Sequence, residues 1–392
     1  MIRKIFAFCL VLATSLFGMD YASFEKEVLS HSKILEVQRL ALKMTEHENN
    51  ILLRASNPQL GLEVAGYDQD LGDTTLGYAV NFTQRVRTGA FMHGLKMKTK
   101  ASELLREAYV TQGRSGYMKT LQTLYTEYVY ASRMIQLLQR EQQLLDQVAN
   151  MVKSRYQSGS DTKVSYLQAK SEASRLQTQI FTQRAKRDML YHQLLSIAGL
   201  QKKVALQKRF IYPIAIPTPK NDTLTPKQQL LFAKEKLYES QYAMHKNSFQ
   251  SYDIVGGVDD EPDQMIGHVG VAMPLAIFNT QKEERSLAKL KLHQIKLQKE
   301  QLTIETKAQK QIHRDMIKEL VNQYHALRHL QDEEQELVDL LQEGYKIAKS
   351  SLFVLMRAKN KLIETKRTLL RTQKEINLQI IQLRYLQGTY ND

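Results

Sequence analysis

Apolar and polar residues follow a helical rhythm over most of this chain. Apolar side chains recur every three or four positions, as at Leu121, Leu124, Tyr128 and Ile135, and charged or amide residues fill the gaps, which is the pattern of an amphipathic helix. Proline breaks helix interiors, and none lies between residues 59 and 212 or after 274. The pattern therefore predicts four helices in these gaps, over about 89–156, 164–197, 281–344 and 352–386.

Two short segments have a period of two instead, which is typical of β-hairpins with one apolar face. They lie at about 60–84 and 252–275. The alternation places six apolar residues on one face of the two hairpins: Leu76, Tyr78, Val80, Phe82, Val269 and Val271. An acidic turn is expected in each hairpin, formed by Asp68, Asp70 and Asp73 in the first and by Asp259, Asp260, Glu261 and Asp263 in the second.

The two halves of the chain form an internal repeat with an offset of 189 residues. Tyr156 corresponds to Tyr345, and Gly199 corresponds to Gly388. Each unit has the order helix, hairpin, long helix, turn, shorter helix. The predicted organisation is a first repeat at 19–200, a proline-containing connector at 201–225 and a second repeat at 226–392.

The N-terminal residues 1–18 have the features of a secretory signal peptide. Arg3 and Lys4 precede an apolar run from Ile5 to Phe17 that is too short to cross a bilayer as a helix. The single cysteine of the chain, Cys9, lies inside this run. We therefore expect a mature protein without cysteine, which suits an oxidising compartment.

Four strands per chain lead to a physical requirement. Four strands do not close a barrel, and an open sheet leaves unpaired backbone groups at its edges. Such edges are not tolerated in lipid, where no water can satisfy them. Three chains would supply twelve strands, enough for a wide barrel with a polar lumen, which the long helices would continue away from the membrane.

Three sequence strings resemble the TolC-type outer-membrane efflux family over essentially the whole mature chain. The run 57–64 is similar to the N-P-x-L-x-x-E-V string before the first strand in the heavy-metal, CzcC-like branch, and 269–279 is similar to its V-x-x-P-L-x-x-F-N string. The run 155–167 resembles the R-Y-x-x-G-x-x-S-x-x-D-V-L helical turn of the family.

This resemblance implies a mainly α protein with a small membrane β part. Its homotrimer would form a twelve-stranded barrel in outer membrane lipid, continued by a helical barrel in the periplasm. The implied function is a passive exit channel of a tripartite efflux system, which works with a periplasmic adaptor protein and an inner-membrane RND-type transporter. The branch resemblance implies heavy-metal cations as cargo.

The resemblance also implies roles for residues in the turns. The periplasmic turns that would meet the adaptor comprise Arg155, Tyr156, Ser158, Gly159, Ser160, Asp161, Thr162, Leu167, Gly344, Tyr345, Ala348, Ser351 and Leu352. Arg155, Lys346 and Lys349 are candidates for the aperture, with few acids expected nearby. An apolar contact is expected through Val164, Leu352 and Phe353. The acidic hairpin turns would lie at the extracellular mouth, and the apolar strand face would meet lipid.

The remaining chemistry excludes several function classes. No nucleophile–base set, phosphate loop or catalytic carboxylate pair occurs, so we expect no enzyme and no cofactor. His325 and His329 are spaced as a possible metal pair but lack a third ligand. The formal charge of +14 is spread along helix faces, which does not favour nucleic acid. Two alternatives remain open: the same channel serving drug or bile-salt efflux or type I protein secretion, and a periplasmic coiled-coil scaffold without a pore.

Overall fold

A computed structural model of the chain describes residues 18–68, 74–218, 223–246, 248–347 and 349–390. The helices are α1 Tyr21–His31, α2 Lys33–Leu53, α3 Gly89–Gln157, α4 Lys163–Ala198, α5 Pro226–Met244, α6 Lys282–Lys346 and α7 Leu352–Leu386. The strands are β1 Gln59–Asp68, β2 Thr74–Arg87, β3 Ser251–Glu261 and β4 Gln264–Ala272. Residues 1–17 of the predicted signal peptide 1–18 lie outside the described residues, as do Asp70, Asp73 and Ala348.

The observed elements confirm the predicted fold class for one chain. The two longest helices, α3 and α6, contain 69 and 65 residues, and their bounds lie within two residues of the predicted ones. Thr162 and Ser351, which are 189 residues apart, cap α4 and α7 by accepting a hydrogen bond from the third residue beyond them. Side-chain oxygens at this position satisfy amides that a helix leaves unpaired.

A second structural landmark repeats at the same offset. Gly199 and Gly388 end the two shorter helices with φ angles of 69° and 70°. Glycine is favoured in this left-handed conformation because glycine lacks a Cβ atom. At these landmarks, the equivalent positions of the sequence repeat share a backbone conformation.

The four strands form one antiparallel sheet in the order β1-β2-β3-β4. Strands β2 and β3 join the two hairpins, with Val80 opposite Leu62 on one side and Val258 on the other. Strands β1 and β4 are the edges of this sheet among the residues that the structure describes.

The turn of the second hairpin is shorter than the sequence predicted, and β4 ends at Ala272 instead of near residue 275. Asp259, Asp260 and Glu261 belong to β3, where Glu261 pairs with Gln264, so the turn contains only Pro262 and Asp263. The acidic residues therefore continue the pairing ladder instead of forming a loop. Asp259 and Glu261 alternate with Asp260 and lie on the same face of the sheet, and this regular strand pairing outweighs the tendency of aspartate to form turns. In the first hairpin, the backbone of Asp68 likewise belongs to β1.

The chain packs as two compact units, and each takes segments from both sequence repeats. The first comprises 1–36, 113–225 and 306–392, and the second comprises 37–112 and 226–305. In the first unit, Phe24 of α1 stacks on Tyr125 of α3 in the largest apolar core. The connector lies in this unit without a helix or strand in its described part, apart from a bridge between Met19 and Leu206.

In the second unit, α2 and α3 are joined by Asn49, whose side-chain nitrogen donates to the Thr99 carbonyl oxygen at 3.1 Å. This unit also contains the whole sheet. None of the helices within the described ranges combines the length and apolar character needed to cross a bilayer.

Candidate functional site

The turn between α3 and α4 is built by local hydrogen bonds. The Ser160 amide and the Ser158 hydroxyl both donate to the Arg155 carbonyl oxygen, at 2.7 Å and 3.0 Å. Gly159 has a φ of 73°, which a residue with a side chain rarely adopts. The Ser-Gly-Ser sequence therefore reverses the chain within Ser158–Thr162.

Arg155 and Asp161 of this turn also bind Tyr345, in the last turn of α6. The Tyr345 hydroxyl donates to Asp161 Oδ2 at 2.6 Å, and Arg155 donates to the Tyr345 carbonyl oxygen at 3.0 Å. The Arg155 guanidinium also lies 4.8 Å from the centre of the Tyr345 ring and 4.0 Å from Asp161 Oδ2. We call these three residues the turn cluster. Hydrogen bonds and a charge contact thus join the turn between α3 and α4 to the end of α6, where the turn between α6 and α7 begins.

The electrostatics of the turn cluster favour a charged Asp161 and a neutral Tyr345. Burial acts to raise the pKa of Asp161, but hydrogen bonds from Tyr345, Ser165 and the Thr162 amide, together with the charge of Arg155, outweigh it and lower the pKa. Burial, followed by the hydrogen bond to Asp161, raises the pKa of Tyr345. The hydroxyl therefore remains a donor and the carboxylate an acceptor.

The second helical turn, after α6, is organised around Gly344. The amides of Lys349 and Ser350 donate to the Gly344 carbonyl oxygen, at 2.7 Å and 3.2 Å. Lys346 Nζ lies 2.6 Å from Glu343. Arg155 and Lys346 therefore each have a carboxylate close by, although the sequence analysis expected few acids near them. Lys349 is exposed.

Of the predicted turn residues that the structure describes, most are exposed, Arg155, Asp161 and Gly344 are half-buried, and two are buried. Tyr345 and Leu352 are buried against Val148, Val152 and Leu355. Leu352 is therefore part of the core of this chain and is unavailable for the expected apolar contact. The exposed members of the predicted set are Tyr156, Ser158, Gly159, Ser160, Thr162, Leu167, Lys346, Lys349 and Ser351, with Val164 and Phe353 beside them.

The sheet has two chemically different faces. Pairing places Leu62, Val80 and Val258 in one row on the apolar face, and all six residues predicted for this face are exposed in the chain. The opposite face is polar. On it, Arg85 Nε donates to Asp253 Oδ1 at 2.9 Å.

Nearer the second hairpin turn, the polar face carries another pair. His268 Nδ1 lies 3.4 Å from an oxygen of Asp259. In the described part of the chain, no group of three or more His, Cys, Asp or Glu residues is arranged to hold a metal ion. His325 and His329 are exposed on α6.

The turn cluster is the feature that sequence reasoning missed. Arg155 and Tyr345 are separated by 190 positions, and no local pattern links them. The repeat was a misleading signal, because it equates Tyr345 with Tyr156, which is exposed and stacks on Tyr166. The repeat-related positions of Arg155 and Asp161 are Gly344 and Ser350, so only one of the two turns contains this charge pair.

Long helices, hydrogen-bonded turns between them and a four-stranded sheet with an exposed apolar face make up a fold that known outer-membrane channels share. The chain is similar to the outer-membrane channel OprN, with a TM-score of 0.81 and 12% identity over 94% of this chain and 90% of that chain. It is similar to the channel-forming protein CusC, with a TM-score of 0.78 and 14% identity over 95% and 93%. It also matches the CmeC outer membrane channel of Campylobacter jejuni, with a TM-score of 0.71 and 12% identity over 93% and 85%.

These comparisons confirm, at the level of the fold, the resemblance to the TolC-type channels that the sequence indicated. OprN and CmeC are outer-membrane channels. No protein-family model and no curated protein matches the sequence.

Proposed function

We propose that three copies of this chain form an outer-membrane channel. The observation that carries the proposal is the sheet: its apolar face is exposed, and it ends at β1 and β4. In lipid these edges must be paired. Pairing β4 of one copy with β1 of the next would satisfy both and close a twelve-stranded barrel. The polar face carrying Arg85 and Asp253 would then line the lumen.

In this assembly the channel is a passive conduit. The helices would extend the lumen through the periplasm, and the exposed residues of the two helical turns would meet a periplasmic adaptor protein. An inner-membrane RND-type transporter would drive export. The aperture of the channel, at the periplasmic turns, would be lined by Arg155, Lys346 and Lys349. The turn cluster supports this arrangement because it holds the two turns of each copy at a defined separation.

For the cargo, we propose heavy-metal cations. The support is the resemblance of 57–64 and 269–279 to strings of the heavy-metal branch. The acidic residues 259–261 and 263, in three copies, would favour cations at the extracellular mouth. Drugs, bile salts or a secreted polypeptide are the competing cargoes.

Disulfide crosslinking tests the proposed assembly. Leu62→Cys in β1 is combined in turn with Gly267→Cys, Val269→Cys or Val271→Cys in β4. These strands are opposite edges of one sheet, so a disulfide between them joins two copies. We expect covalent species up to the trimer in outer-membrane fractions.

The matched control pairs cysteines at Val80 and Val258, which are directly opposite within one chain and should crosslink without changing the apparent mass. A ladder that stops at the dimer, or a protein recovered as a soluble periplasmic species, would reject the channel. The cargo is tested separately by deleting the gene. Sensitivity to cobalt, zinc, cadmium, nickel, copper or silver should rise, and unchanged sensitivity to all six would reject the metal assignment.

A further inference from the structure

The second hairpin continues into an apolar segment that the first hairpin lacks. Strand β2 ends at Arg87 and α3 begins at Gly89, so a single residue separates them. Strand β4 ends at Ala272 and α6 begins only at Lys282. The residues between them form the 273–281 segment. Together, β4 and this segment run from Gln264 to Gln281 without a Lys, Arg, Asp or Glu.

The 273–281 segment continues the apolar character of β4 beyond the end of the strand. In the sequence, Met273, Leu275 and Ile277 follow Val269 and Val271 at every second position. All three are exposed, and the neighbouring Phe278 is 99% exposed. Several large apolar side chains exposed within one short segment mark a binding surface.

Both ends of the segment are held in place. One end continues from β4. At the other, the Ser248 hydroxyl and Arg285 donate to the Thr280 carbonyl oxygen at 2.8 Å and 3.3 Å, and His245 is hydrogen bonded to Gln281. Exposure of the apolar side chains is therefore a property of an anchored segment and not of a loose end.

The backbone of the segment limits how deep in a membrane it could lie. Pro274 lacks an amide donor and prevents continuation of the β-ladder. The Ile277 amide bonds only to the nearby Leu275 carbonyl oxygen, at 2.9 Å. Unpaired backbone groups are not tolerated in the hydrocarbon region, whereas the headgroup region offers water. The segment therefore fits the boundary between headgroups and acyl chains.

The surroundings have the composition of such a boundary. Phe249 and Tyr252 stack at this end of the sheet, with ring centres 6.5 Å apart. Aromatic residues are enriched at the interfaces of membrane barrels. The cationic residues there, Arg87, Lys246, Lys282 and Arg285, outnumber the carboxylates Glu283 and Glu284, and this excess complements lipid phosphates.

We propose that the 273–281 segment is an interfacial anchor that binds phospholipid at the headgroup–acyl boundary of the outer membrane, on the side from which the helices leave the sheet. This inference rests on the proposed function. The occupant is lipid, because the segment directly follows the strand whose apolar face is proposed to contact lipid, and because it lies among excess cations. A neighbouring copy of the chain is the alternative that the experiment must separate.

The chain contains no tryptophan, so Phe278→Trp creates a single fluorescent probe. The full-length protein is reconstituted in vesicles of phosphatidylethanolamine and phosphatidylglycerol containing phosphatidylcholine brominated either near the headgroup or near the middle of the acyl chain. We expect emission at shorter wavelength than in denaturant and quenching mainly by the shallow bromines. Leu275→Trp is a second probe if the first variant folds poorly.

Two control variants separate the possible failures. Phe82→Trp reports on the sheet face and should be quenched by the deep bromines, whereas Phe353→Trp, exposed at the start of α7, should not be quenched. If Phe82→Trp is quenched but the segment probes are not, the anchor is wrong and the channel stands; a short-wavelength emission would then point to a neighbouring copy. If Phe82→Trp is unquenched as well, both the anchor and the membrane barrel are wrong.

Discussion

Replacing Tyr345 with phenylalanine isolates the contribution of one hydrogen bond to the joining of the two helical turns. The Tyr345 ring is buried among apolar side chains, and Tyr345→Phe retains it. The change removes only the donor to Asp161 at 2.6 Å. A hydrogen bond to a charged group contributes about 1.5–3 kcal/mol. Opening of the Ser158–Thr162 turn should therefore become roughly ten- to hundred-fold more frequent, since 1.4 kcal/mol corresponds to about a factor of ten.

Hydrogen–deuterium exchange, read by mass spectrometry on peptides that cover Ser158–Thr162, measures this opening. The Ser160 amide donates to Arg155 and the Thr162 amide donates to Asp161, so both report on the turn. Tyr156→Phe is the matched control, because Tyr156 is the repeat counterpart but is exposed. The control should leave the exchange rates of the turn unchanged.

The reasoning would be refuted if Tyr345→Phe and Tyr156→Phe changed exchange equally, or if neither changed it. Asp161→Asn should produce a similar opening. The double variant should cost less than the sum of the two single variants, because they remove the same hydrogen bond.

Three further outcomes are expected from described contacts. The pKa of Asp161 is lower in the folded than in the unfolded protein, so the charged Asp161 stabilises the turn at pH values above the unfolded pKa of about 3.9, and this stabilisation is lost as the pH falls through the lower folded pKa. Protection of the turn amides, corrected for intrinsic exchange, should therefore be constant from about pH 8 to 5 and decline below about 4. Gly199→Ala should lower the stability of the protein in thermal unfolding by at least about 1–2 kcal/mol, because φ is 69° and a Cβ would lie 3.1 Å from the His31 carbonyl oxygen. The control Gly116→Ala, where a Cβ would lie in open space inside α3, should be neutral or stabilising, and equal losses of stability in the two variants would contradict the argument. Phe24→Ala should lower the free energy of unfolding by about 3–5 kcal/mol, since the side chain is fully buried; a loss below about 1 kcal/mol would show that this core is loosely packed.

The helices and strands were largely predictable because local signals mark their ends. Thr162 and Ser351 have capping oxygens, and Gly199 supplies the left-handed conformation where a helix ends. The two periods of the apolar pattern separate helix from strand. The placement of Asp259–Glu261 in a turn was wrong because aspartate favours turns locally, whereas pairing with β4 decides where a strand ends.

The candidate site was less predictable because it depends on contacts between distant segments. The sequence indicated that the two helical turns matter, but not that Asp161 binds Tyr345 across 184 positions. The burial of Leu352 likewise depends on packing against side chains such as Val148. Equivalent positions in a repeat share backbone conformation, as Gly199 and Gly388 do, yet their side chains have different neighbours.

The open edges of the sheet, at β1 and β4, have a genetic consequence if every pore takes three copies. One chain with a defective edge strand would prevent closure of the barrel in any trimer that contains it. With defective and intact chains produced in equal amounts and mixed at random, only roughly one assembly in eight would be fully intact. A proline introduced into β4 should therefore act as a dominant inhibitor when expressed beside the normal gene.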